Sequence, residues 1–64
     1  MKEKTFFHHY SVLEIERNGL YEYYLSKQGY GNLYFMYGVE KENFPTPVEV
    51  LKNIQIANRC GFWE

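Results

Sequence analysis

The side chains with the widest chemical range in this chain are two adjacent histidines, His8 and His9, and the lone thiol of Cys60. An imidazole can ligate a metal or move a proton, and a thiolate can do the first and attack an electrophile. Position argues against each use. His8 and His9 fall in a stretch that reads as a strand, where neighbours point to opposite faces, so one metal could not easily take both. A zinc site would also need Cys60 and a carboxylate brought in by the fold, and none stands at a recognised spacing. By parity His9 falls on the inner side of a sheet as a hydrogen-bonded structural residue, and His8 on the outer side as a surface contact. Cys60 follows Arg59, a favourable neighbour for a thiolate. It also sits at the end of a predicted helix, where the dipole is negative and opposes one. A small buried hydrophobe is the better reading of Cys60.

No other constellation supplies a reaction. There is no nucleophile elbow with a base and an orienting carboxylate, and no phosphate-binding glycine loop. Gly29-Tyr30-Gly31 joins strand to strand, without the helix N-terminus that would hold an anion. The sequence therefore predicts a non-enzymatic chain with no cofactor, no metal and no small-molecule substrate.

Length and charge narrow the classes further. Sixty-four residues make one domain, spanning 1–64, with no room for a second. Seven basic and eight acidic side chains give a formal charge of −1, which offers nothing to a nucleic-acid backbone or an anionic membrane. The apolar runs are too short to span a bilayer, and Met1-Lys2-Glu3-Lys4-Thr5 leads into no signal-peptide core. One cysteine excludes an internal disulfide, which fits a reducing compartment, and a cytoplasmic protein is expected.

The element that must position everything else is a helix over residues 47–60. Thr46 and Glu49 are spaced as a capping box, and Pro47 occupies the first helical position. Gly61 and Phe62 spell a Schellman stop, with Phe62 folding back toward Ala57. Val50, Leu51, Ile54 and Ala57 form the stripe that would face a sheet, with Val48 and Cys60 at its ends. Phe62 and Trp63 are expected to close the lower rim of the core.

Ahead of the helix the chain reads as strands over about 5–16, 20–26 and 33–40, with residues 1–4 frayed. The predicted class is α+β: a three-stranded antiparallel meander with one C-terminal helix on one face, in the order β-β-β-α. Asn18-Gly19 marks the first hairpin. A two-residue loop there would pair Ile15 with Glu22 and Glu14 with Tyr23, setting charge against ring. A three-residue loop over Arg17-Asn18-Gly19 instead pairs Ile15 with Tyr21 and Leu13 with Tyr23, and is the register expected. The helix-facing side then collects Leu13, Ile15, Tyr21, Tyr23, Leu25, Leu33, Phe35, Tyr37 and Val39.

The opposite side displays Tyr10, Val12, Glu14, Glu16, Leu20, Glu22, Tyr24, Tyr34 and Met36. Tyrosine and methionine are enriched at protein interfaces, and an apolar patch on a small domain marks a contact site. The bland alternative is that cross-strand aromatics simply stabilise a small sheet. The functional expectation is a protein-interaction module that binds a partner, or a second copy as a homodimer, through this face or an edge strand. It would act as an accessory or inhibitor protein. Tyr10, Tyr24, Tyr34 and Met36 are the expected contacts, with Glu14, Glu16 and Glu22 as an acidic rim selecting a basic surface. The third strand, with few charges in its middle, is the edge expected to pair. The alternative is a small single-stranded nucleic-acid binder that stacks bases on the same rings, against which the three glutamates count.

Overall fold

The computed structural model describes residues 1–64. A four-stranded antiparallel sheet, ordered β1-β2-β3-β4, carries one helix. The strands are β1 (Lys2–Phe6), β2 (Tyr10–Arg17), β3 (Leu20–Lys27) and β4 (Leu33–Val39), and α1 runs Pro47–Arg59. The α+β class and the C-terminal helix agree with the sequence reading, but the strand count does not. The single strand expected over 5–16 is broken at Phe7-His8-His9 into a hairpin, and residues 2–4, expected to fray, pair with β2. Nothing in that tripeptide announces a turn. Phe7 and His8 take left-handed φ values of 52° and 65°, a conformation that disfavours side chains by roughly 1–2 kcal/mol per residue. Its partners hold it: Phe6 pairs with Tyr10 and is buried against Phe44, ring centroids 6.5 Å apart.

The second hairpin corrects the register. Arg17 pairs with Leu20, so Asn18-Gly19 alone form the loop, at φ 54° and 80°. Positive φ at both positions is the type I′ geometry, whose twist matches the flanking strands. The pairs that set charge against ring or aliphatic chain, Glu14 with Tyr23 and Ile15 with Glu22, are the ones that form. Glu14 against Tyr23 is no clash, because the Tyr23 hydroxyl donates a 2.7 Å hydrogen bond to Glu14 Oε2. A one-residue slip exchanges the faces of a strand. On β2 the helix side is therefore Tyr10, Val12 and Glu14, not Leu13 and Ile15. On β3 it is Tyr21, Tyr23 and Leu25, as expected.

β4 switches phase partway along. Tyr24 pairs with Phe35, but Tyr23 pairs with Tyr37, which leaves Met36 as the extra residue of a bulge. Tyr37 and Val39 pack on the core as the alternation predicts. Before the bulge the expectation inverts: Tyr34 and Met36 lie against the core, whereas Leu33 and Phe35 are exposed.

The core is Phe6, Val12, Tyr23 and Leu25 from the sheet, Val50, Ile54 and Ala57 from α1, and Trp63 from the tail. The helix ends are built as their residues dictate. Thr46 Oγ1 accepts from Glu49 N–H, and Glu49 Oε1 accepts from Thr46 N–H. Phe62 N–H donates to Ala57 O and Gly61 N–H to Asn58 O, with Gly61 at φ 70°. Trp63 closes the rim, 6% exposed. Three residues assigned to the buried stripe or its ends lie outside it: Val48, Leu51 and Cys60 are exposed, the last donating its S–H to Ala57 O.

Candidate functional site

The helix covers one side of the sheet only. On the open side, register sets Leu13 beside Tyr24 and Tyr24 beside Phe35, with Ile15 one pair further along. The Tyr24 and Phe35 rings meet edge-on, centroids 5.4 Å apart at 62°. Phe35 is 52% exposed, and its ring tip leans toward the space above Gly38, 3.9 Å from where a Cβ would stand. These four residues form an apolar stripe across β2, β3 and β4 with no layer above it.

The charge beside the stripe is internally neutralised. Arg17 Nη2 donates to both Glu22 oxygens, at 2.9 and 3.2 Å, and the Tyr24 hydroxyl donates to Glu22 Oε1 at 2.9 Å. The hydrogen bonds from Tyr24 and then Arg17 hold the Glu22 carboxyl below the usual carboxylate range. The same bond pushes the Tyr24 hydroxyl up. A solvent-exposed pair like this adds little stability, but it fixes the tyrosine's orientation.

At the end of the sheet the same face becomes polar. A recess of about 340 Å³ is lined by Glu3 and Thr5 of β1, Ser11 of β2, Ser26 of β3, and Gln28, His8 and His9. Both histidines line it, against the expectation of opposite faces, because they belong to a turn and the strand alternation does not reach them. His9 is exposed and takes no place on the helix side. No three His, Cys, Asp or Glu side chains come together to hold a metal.

A second polar cluster ties the connection before α1 to the sheet. Tyr23 Oη, while donating to Glu14, accepts from Asn43 N–H at 2.8 Å; Tyr37 donates to Asn43 O at 2.6 Å, and Lys2 pairs with Glu42. Burial, and then the Glu14 bond, push the Tyr23 hydroxyl from 10.0 up to about 12. The sign follows: a raised folded-state value favours the fold while the group is protonated. Its contribution is complete below about pH 10 and is lost as pH rises toward about 12. Alkaline titration followed by tyrosine absorbance should show one tyrosine ionising last, together with loss of the fold, and Tyr23→Phe should remove that late step. Ionisation of all seven tyrosines in one transition near the ordinary value would contradict the buried network.

Of the residues expected to form the contact face, Tyr24 and Glu22 lie on the open side. Tyr10 packs on Trp63, Tyr34 on Phe62 and Met36 on the core. Glu14 is buried on the helix side, and Glu16 is exposed near the turn on that same side. The acidic rim is thereby dispersed. Leu13, Ile15 and Phe35 take the missing places. The Asn-Gly pair carried the signal for the first two, since the two-residue loop it favours turns them outward.

Comparison with protein-family models, curated proteins and solved structures finds no match. No helix is long and apolar enough to cross a membrane.

Proposed function

We propose that this chain is a protein-interaction module without catalytic activity of its own, which docks a protein partner on the open face of its sheet. The observation that carries the reading is the uncovered stripe of Leu13, Ile15, Tyr24 and Phe35, beside an ion pair that has already satisfied its own charge. Aromatic and aliphatic side chains fixed on a rigid sheet gain from burial and lose little side-chain entropy on docking. The matching partner surface is apolar at its centre, with a polar side chain placed to enter the recess at His8 and His9. It is not selected for basic charge, because Glu22 is occupied by Arg17 and Glu14 is buried. By covering such a surface the module would act as an accessory or inhibitor protein. The single thiol, with no second cysteine to bridge, fits an encounter in the reducing cytoplasm.

The test is photo-crosslinking from Tyr24→p-benzoylphenylalanine in the producing cells, with Gln55→p-benzoylphenylalanine on the exposed helix surface as control. The expected result is a discrete protein adduct from position 24 alone, lost when Phe35→Glu is added while the circular dichroism of the fold is unchanged. Equal adducts from both positions, or adducts that survive Phe35→Glu, would sink the proposal. Adducts to nucleic acid would show instead that Tyr24 and Phe35 stack bases.

A further inference from the structure

The turn at Phe7-His8-His9 is made against the preferences of its residues. His9 N–H donates to Phe7 O at 2.6 Å around His8 at φ 65°, a three-residue turn of the rare, strained kind. Phe7 beside it stands at φ 52°, where a bulky side chain is an outlier. Thr5-Phe6 before the turn and Tyr10-Ser11-Val12 after it are rich in strand formers, and Phe7 is another. The extended course is already half built. Tyr10 pairs with Lys27, and Gln28 N–H donates to His9 O at 2.8 Å, on the next rung of the same ladder.

We propose that Phe7-His8-His9 straightens and that two copies of this chain exchange β1. Each β1 then lies on the β2 edge of the other copy, and Lys2 to Arg17 becomes one long strand. The β1–β2 register, carried unchanged through the former turn, sets the two long strands antiparallel about a two-fold axis at His8. Phe7 comes to face the second copy's His9, and His8 its His8. The faces agree as well. Phe6 and Tyr10 both pack on the core and lie four residues apart, so a straight strand keeps both on the helix side. Thr5 and Ser11 stay together on the open side. The product is one six-stranded sheet with the two long strands at its centre.

The occupant follows from what already covers the β2 edge. That edge is filled by β1, and a second copy's β1 is identical. It restores every rung, the Phe6 ring in the core and the pair between Lys2 and Glu42. Only the hinge changes: its two left-handed residues relax in each chain, and new rungs form about the axis. Opposing this is the lost independent motion of two chains, so concentration drives the exchange. The inference goes beyond the docking reading and does not rest on it. The stripe of Leu13, Ile15, Tyr24 and Phe35 stays open, once in each half of the sheet.

The experiment traps the pairing with disulfides. Cys60→Ser removes the native thiol, and Thr5→Cys with Ser11→Cys places one thiol on each side of the β1–β2 ladder. Directly opposed strand residues have Cα atoms about 4.5–5.5 Å apart, within disulfide reach. Chain refolded from urea at micromolar and at millimolar concentration is separated by gel filtration. Each fraction is then oxidised and run on a denaturing gel without reductant. The expected result is a dimer fraction that grows with concentration and runs as a covalent dimer, while the monomer fraction runs as a monomer. His8 is exposed, so its substitution leaves the fold intact. His8→Gly eases the closed turn and should weaken the dimer roughly tenfold or more, whereas His8→Val resists positive φ and should strengthen it by a similar factor. Absence of a dimer from both the parent and His8→Val at millimolar chain overturns the proposal. A dimer whose disulfides close within each chain overturns it too, as does equal dimerisation of His8→Gly and His8→Val.

Discussion

Truncating Trp63 to alanine is expected to remove roughly 3–5 kcal/mol of stability, the usual range for a buried Trp-to-Ala change. A 64-residue domain has only about 3–10 kcal/mol in total, so the change removes from about a third to all of it. The indole is the point where three parts of the chain meet. Tyr10 of β2 lies against it at 6.4 Å between centroids, Tyr30 of the β3–β4 loop at 6.2 Å, and Phe62 at 5.0 Å. Asn32 Nδ2 donates to Phe62 O at 2.8 Å, which fastens that loop to the end of the helix. Loss of Trp63 therefore opens the core and frees the loop together. Its indole N–H is buried without a hydrogen-bond partner, so Trp63→Phe removes a stranded donor as well as surface and should cost distinctly less. Urea unfolding by circular dichroism measures both variants. A Trp63→Ala protein within about 1 kcal/mol of the parent would mean that the tail does not dock on the core in solution.

Tyr23→Phe should be the second most damaging of these changes, although it deletes a single oxygen atom. That hydroxyl donates to Glu14 and accepts from Asn43 N–H, and Tyr23 itself is wholly buried. Its removal strands a carboxyl and a main-chain donor, each worth roughly 1–3 kcal/mol when unsatisfied. A net loss of about 2 kcal/mol would lower the melting temperature by about 8–16 °C in a domain of this size. The companion measurement is Glu14→Leu combined with Tyr23→Phe. Replacing both polar partners by apolar groups should cost less than the sum of the single changes, by about 1 kcal/mol or more. Strict additivity would show that the hydrogen bond contributes nothing, and the explanation of the register would fail with it.

That register is where sequence and structure part. The open face contains Tyr24 and Glu22 as expected, but Leu13, Ile15 and Phe35 replace Tyr10, Tyr34 and Met36. The strands are rich in tyrosine, which is content on either side of a sheet because it has an apolar body and a polar tip. Both phases of the alternation therefore looked equally buried. Charge does not break the tie, because a glutamate can be buried where a tyrosine hydroxyl waits for it. The bulge at Met36 then shifted β4 in a way no alternation shows.

Local chemistry alone determined the helix from Pro47 to Arg59. The hydroxyl of Thr46, the carboxylate of Glu49 and the left-handed Gly61 satisfy backbone groups only a few residues away, so their instruction is complete within the segment. It also located the Asn18-Gly19 turn, because both residues accept positive φ. Which side of each strand faces the helix, and that a hairpin closes at Phe7-His8-His9, were decided by partners distant in the chain: Glu14 meeting Tyr23, and Phe44 stacking on Phe6. A strand has no internal hydrogen bonds with which to orient itself, so its phase belongs to whatever lies across from it.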